Sequence, residues 1–276
     1  VTEIAVTIVV YALTLTLVGA STVRSALLRR ADRAGDPLIV ERLRGIEATA
    51  WLALVLALAV RAWAHTATVF GPADSMSVDA LKTIALVSRW GEAWRWQMMA
   101  ALVGAAAICA IRGRAAGIVG ACATLALVVA LARGGHTEGM PTRMVVQTVH
   151  ILGGGAWLGT LGVVAAISGD RTDDRARLLR AFFPLALAGV ATLAATGVVA
   201  AYTYVGAISN LWTTSYGRTL VAKLSLVAGA LGCGYVNWRS LRRPRAEPIA
   251  PALRWELMLA AAIVIATGIL TELAHP

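Results

Sequence analysis

Gly135-His136-Thr137-Glu138-Gly139-Met140-Pro141-Thr142-Arg143-Met144-Val145-Val146-Gln147-Thr148-Val149-His150 joins two apolar segments and carries two of the chain's four histidines and two of its six methionines. Pro141 suits the first turn of a helix, where its missing N–H leaves nothing unpaired. From there Arg143, Gln147, His150, Gly154 and Trp157 recur at spacings of four and three, which sets them along one helical face. A polar stripe inside a bilayer must turn away from lipid, toward other helices or a water-filled cavity. The stripe, with His136 above it, reads as one wall of a binding site.

The surrounding composition fixes the class. The chain has 276 residues, 58% hydrophobic and 14% charged, with a mean hydropathy of +0.72. Soluble domains carry about 25% charged residues, so this is an all-α polytopic membrane protein, a single integral membrane domain over 1–276. A crossing helix needs about 20 mainly apolar residues. Eight segments qualify: 4–27, 46–65, 95–112, 115–133, 143–168, 178–203, 217–238 and 252–273. The first is too long for a signal-peptide core and lacks a basic leader, so it reads as a retained helix.

The net charge of +10 is not a nucleic-acid footprint, because the arginines fall in short runs between the apolar segments. Arg24, Arg29, Arg30, Arg33, Arg42 and Arg44 follow the first segment, Arg112 and Arg114 the third, Arg171, Arg175, Arg177 and Arg180 the fifth, and Arg239, Arg242, Arg243, Arg245 and Arg254 the seventh. Only Arg61, Lys82, Arg89, Arg95, Arg133, Arg143 and Arg218 lie on the other side. The positive-inside rule puts the first set in the cytoplasm and both termini on the periplasmic or extracellular side. In the long outer loop, Leu81, Ile84, Ala85 and Val87 suit a short surface helix, and Trp90, Trp94 and Trp96 suit interfacial anchors.

All four histidines (His65, His136, His150 and His275) then fall on the outer side, together with Met76, Met98, Met99, Met140 and Met144. Imidazole suits copper and zinc, and thioether sulfur selects Cu(I). The metal candidates are His136, His150, Met140, Met144 and His65, with Gln147, Lys223 and Trp157 in support. The plainer account makes the methionines packing and His136 a solvated loop residue. It is weakest for His150, since an imidazole buried in a membrane helix needs a partner. Paired helix histidines also hold b-type haem, and hydrogen bonding alone is the third reading. Lys223 is costly in a membrane unless it snorkels or pairs, with Glu3 or Glu272 as partner. Cys109, Cys122 and Cys233 lie inside apolar segments and read as small packing residues rather than a disulfide framework or a Cu(I) relay. Gly155 and Gly159 form a GxxxG pair that permits close helix approach. The chain contains no P-loop, GxSxG or CxxC, so neither an ATP-driven pump nor an enzyme is expected.

Gly135-His136, His150 through Trp157-Leu158-Gly159, Phe182-Phe183-Pro184, Thr196-Gly197, and Tyr216-Gly217-Arg218 with Lys223 occur in an order that resembles the copper resistance protein D (CopD) family. The likeness is strongest over 130–240. Before that it rests on the number of spans and on Val18-Gly19-Ala20. It implies a multi-pass protein of the bacterial inner membrane that moves copper from the periplasm toward the cytoplasm, with a copper ion held by His136 and His150. A separate periplasmic copper carrier is the implied partner beside membrane lipid. The alternative is a haem b or quinone redox membrane protein.

Overall fold

The structure is a computed structural model that describes residues 2–32, 35–71, 73, 77–134, 140–242 and 250–273. Its described residues form helices and no strand. In order they are α1 (Thr2–Arg30), α2 (Pro37–Phe70), a short α3 (Val78–Lys82) that runs on through a π turn at Thr83–Val87, α4 (Arg89–Ala110), α5 (Gly113–Arg133), α6 (Pro141–Ser168), α7 (Thr172–Val205), a single-turn α8 (Asn210–Thr213), α9 (Ser215–Leu241) and α10 (Ala250–Glu272). Seven of these are long and apolar enough to cross a membrane. The segment expected at 95–112 is present as α4, packed along α2 and α5. Its first turns carry Arg89, Glu92, Arg95 and Gln97, which keep it out of those seven.

Several helices outrun the apolar segments that announce them. α2 begins nine residues before position 46 because the Asp36 carboxylate accepts hydrogen bonds from the N–H groups of Leu38 and Ile39, and Pro37 fills the first helical position. Gly71, at φ +90°, ends it. The short helix expected around Leu81, Ile84, Ala85 and Val87 forms, as α3 and its π turn.

α1 and α6 make the central pair. In α6, 72% of the apolar window is buried, against 6% in α9. The two helices touch backbone to backbone. A Cβ added to Gly159 would lie 1.9 Å from the Leu15 carbonyl oxygen, and one added to Gly19 would lie 2.2 Å from the Gly159 carbonyl carbon. The GxxxG reading therefore holds, and α6 winds as a π turn over Gly155–Gly159 at this crossing. Apolar cores flank the pair. One joins α1, α2, α4 and α5 around Leu17, Trp51, Leu54 and Leu127. The other joins the lower parts of α1, α2 and α6 to α7, α9 and α10 around Leu27, Leu161, Leu178 and Ile263.

The two ends of the bundle differ chemically. At one end arginines tie helix termini together. Arg42 donates to the Ile167 carbonyl at 3.0 Å, Arg44 to the Ile111 carbonyl at 3.3 Å and Arg180 to the Leu241 carbonyl at 3.3 Å. These are end-of-helix carbonyls that lack an intrahelical partner. Arg24 pairs through both nitrogens with the buried Glu47, and Arg171 bridges Asp36 and Asp174. The other end holds His65, His150, Trp90 and Trp94.

Candidate functional site

At that second end, polar residues at helical spacing converge from seven helices. α1 contributes Glu3, Thr7 and Tyr11, α2 contributes Arg61 and His65, and α4 contributes Trp90, Trp94 and Gln97. Gln147 and His150 come from α6, Tyr204 from α7, Lys223 from α9 and Glu272 from α10. The sets from α1, α2, α4 and α6 repeat every three or four residues, so each of these helices turns one stripe inward. The stripes enclose a cavity of about 550 Å³.

His65 sits in a built setting. Its Nδ1 lies 2.8 Å from Glu3 Oε1, and its ring stacks on Trp90 at 4.1 Å with 9° between planes. Thr68 donates to the other Glu3 oxygen at 3.3 Å. Because a carboxylate only accepts, Nδ1 carries a proton, and in the neutral ring Nε2 then keeps its lone pair. His150 reaches the same state by another route. Its Nδ1 is 2.8 Å from Thr196 Oγ1, whose own proton goes to the Thr192 carbonyl at 2.6 Å. The hydroxyl oxygen therefore accepts from Nδ1–H, again leaving Nε2 free to bind. An outer partner of this kind orients metal-binding histidines and raises their basicity.

The remaining wall is tightly hydrogen-bonded. Gln147 bonds the Tyr11 hydroxyl across the α1–α6 contact. Arg61 donates to Gln97 at 3.2 Å, Gln97 donates to the Ala130 carbonyl at 3.3 Å, and Thr7 donates to Glu272 at 3.1 Å. The Arg61 guanidinium carbon lies 5.8 Å from the Trp90 ring centre. Glu3 and Glu272 are thus occupied by His65 and Thr7, and neither pairs with Lys223. Lys223 lines the cavity as a cation without an ion-pair partner among the described residues.

The sequence-derived candidates divide accordingly. His65, His150, Gln147 and Lys223 meet in the cavity. Met140 is exposed just ahead of α6 and Met144 is half-buried on it, and neither lines the cavity. His136, His275 and Met76 lie outside the described residues. Trp157 leaves the stripe, because it falls within the π turn, where the extra residue breaks the four-and-three spacing. It is buried near Gly189 of α7 and borders a different cavity. Trp90 and Trp94 line the cavity instead of anchoring at the lipid interface, with Trp94 donating to the Leu58 carbonyl at 2.8 Å, whereas Trp96 is exposed. Cys109 and Cys122 are exposed on α4 and α5, far along the chain from Cys233, and all three thiols are free. Among the described residues no three His, Cys, Asp or Glu side chains stand close enough together to hold an ion.

Glu3, Thr7, Tyr11, Arg61 and Gln97 are the cavity residues that sequence reading did not assemble. The one signal among them was faint, the four-residue spacing of Glu3, Thr7 and Tyr11 in an otherwise apolar helix.

Residues 176–273 match the family described as copper resistance protein D, and residues 1–144 match the copper resistance protein D-like N-terminal domain. The copper transport protein CutJ of Bacillus subtilis (strain 168) is 23% identical over 158 residues, which cover 54% of this chain and 29% of CutJ. The chain thus spans less than a third of the length of that relative. No solved structure matches it.

Proposed function

The chain belongs to the copper resistance protein D family, and on that premise we propose that it takes copper from the periplasmic side into the His65–His150 cavity and passes it toward the cytoplasm. The observation that carries this reading is the matched preparation of two imidazoles. Each has Nδ1–H held by an oxygen acceptor and Nε2 left as a donor atom in one polar cavity. Copper is bound well by imidazole nitrogen. His136 and the thioethers of Met140 and Met144 serve as the outer capture groups, delivering the ion to a site whose described residues supply too few ligands to retain it. Weak retention suits a conductor, since a transported ion must leave as well as bind.

In this reading the helices span the inner membrane eight times, with α4 as a polar-ended span and both termini periplasmic. The arginine-tied end then faces the cytoplasm, in keeping with the positive-inside rule. A negative-inside potential favours inward passage of a cation by roughly 2.3 kcal/mol per charge per 100 mV. Copper reaches the mouth from a separate periplasmic carrier, and the chain itself catalyses no reaction.

The test is equilibrium binding of copper to purified protein, read with its optical spectrum. Wild type should bind copper without a Soret band, and His150→Ala should lose the metal while still inserting and melting normally. Unchanged copper stoichiometry in that variant rejects the site. A Soret band in purified wild type would transfer the histidines to haem b.

A further inference from the structure

A second cavity, of about 460 Å³, lies toward the arginine-tied end between α6, α7, α9 and α10. Its walls are aromatic and apolar, with Phe182 and Phe183 from α7 and Trp238 from α9. Phe183 and Trp238 stack with ring centres 5.2 Å apart. The cavity borders the lipid-facing side of α7 and α9, where Leu187 and Tyr235 are 61% and 57% exposed.

One wall is polar. Glu256 of α10 and Asn237 of α9 are 4% and 6% exposed, and Asn237 Nδ2 donates to Glu256 Oε2 at 2.6 Å. Gly234 makes room for the carboxyl, since a Cβ there would lie 3.1 Å from Glu256 Oε1. Asn237 Oδ1 is buried with no hydrogen-bond partner among the described residues. Leaving a buried acceptor unpaired is costly, and both residues line this cavity.

We propose that this cavity binds a membrane-soluble quinol, with its ring against the Phe183–Trp238 wall, its hydroxyls donating to Asn237 Oδ1 and Glu256, and its isoprenoid tail leaving between α7 and α9. The ligand must donate to Asn237 Oδ1, because that buried oxygen is an unpaired acceptor. A phospholipid's phosphate and ester oxygens only accept, so they leave Asn237 Oδ1 unpaired. At the mouth Arg242 lies 4.2 Å from the Trp238 ring centre and Arg180 Nε donates to the Leu241 carbonyl, and a phosphate held by their remaining N–H groups would still leave Asn237 Oδ1 unpaired. The oxidised quinone likewise offers only acceptors, so the site distinguishes the two redox forms of one molecule. The inference concerns binding alone and does not depend on the copper reading, since the residues and the end of the bundle are different.

The experiment is calorimetric titration of the full chain in phosphatidylcholine nanodiscs, copper-free and anaerobic, with decylubiquinol and decylubiquinone and with empty discs subtracted. Saturable binding of one quinol per chain is expected, at least tenfold tighter than the quinone. Ala186→Trp, which fills the cavity from α7 and leaves the Asn237–Glu256 pair intact, should weaken quinol binding at least tenfold with the melting curve unchanged. Absence of saturable quinol binding, equal affinity for the two forms, or undiminished quinol affinity in Ala186→Trp overturns the proposal. A phospholipid or a second chain that fills the groove and is not displaced by quinol overturns it too.

Discussion

Replacing Gly159 with alanine adds a single methyl group, yet it should disturb the whole outer cavity. The new carbon would stand 1.9 Å from the Leu15 carbonyl oxygen, where ordinary contact begins at 3.4 Å, and the obstacle is backbone that no rotamer change relieves. α1 and α6 must therefore part by about 1.5 Å, the difference between those distances. Overpacking of this kind typically costs about 1–3 kcal/mol. The same displacement breaks the hydrogen bond between Tyr11 on α1 and Gln147 on α6, and separates the Glu3 stripe from the His150 stripe. Gly162 is the internal control, because a Cβ there meets nothing within 4 Å. Thermal unfolding in detergent and copper affinity should both fall for Gly159→Ala and hold steady for Gly162→Ala. If the two variants behave alike, the α1–α6 contact does not set the geometry of the cavity and the reasoning fails.

Glu3→Gln should weaken copper binding by about 10–100-fold while sparing insertion, the usual cost of losing an outer partner of a metal-binding histidine, and an unchanged isotherm would assign Glu3 a purely structural role. Lys223→Gln removes a cation that has no ion-pair partner among the described residues and should tighten copper binding several-fold, whereas a lysine that merely snorkels would leave the affinity alone. At the other end, partial burial tends to raise the Asp36 carboxyl, but the N–H of Ile39, the Arg171 guanidinium and the N–H of Leu38 outweigh it and hold the carboxyl below its ordinary value. A depressed carboxyl stabilises the fold above its unfolded value, near about 3.9, and that contribution fades as pH falls through the folded value. The melting-temperature gap between wild type and Asp36→Asn should accordingly be open at neutral pH and narrow as pH falls through the folded value, and a gap that widens in acid contradicts the sign.

Much of this architecture can be read from the chain, and the misreadings share one cause. Apolar length identifies the helices, and basic runs identify the end where arginines meet helix termini. The polar face from Arg143 to His150 predicts a cavity, and His65, His150, Gln147 and Lys223 line it. Helix rotation is harder to infer. Trp90 and Trp94 have the spacing and depth of lipid anchors, and only the packing of α4 against α2 turns them inward. Trp157 continues the stripe on an ideal helix, but the π turn at Gly155–Gly159 interrupts it. The stripe of Glu3, Thr7 and Tyr11 was hidden by its setting, since three polar residues in a strongly apolar helix barely change its hydropathy. Arg61 and Gln97 are single polar residues whose partners lie 36 positions apart in the chain, so pattern within one helix could not join them.

The hydrogen bond from Thr7 to Glu272 has a consequence for biogenesis. It joins α1 to α10, and the cavity between them takes at least one side chain from each of five further helices. During co-translational insertion, Glu3 and Thr7 enter the bilayer with Glu272 still unmade, and His65 must wait beside a half-built enclosure until the ribosome has delivered the closing helix. On the proposed copper reading, ion binding therefore requires the assembled bundle, and a translation product stopped after α9 would sit in the membrane with His65 and His150 present and its chamber open on one flank.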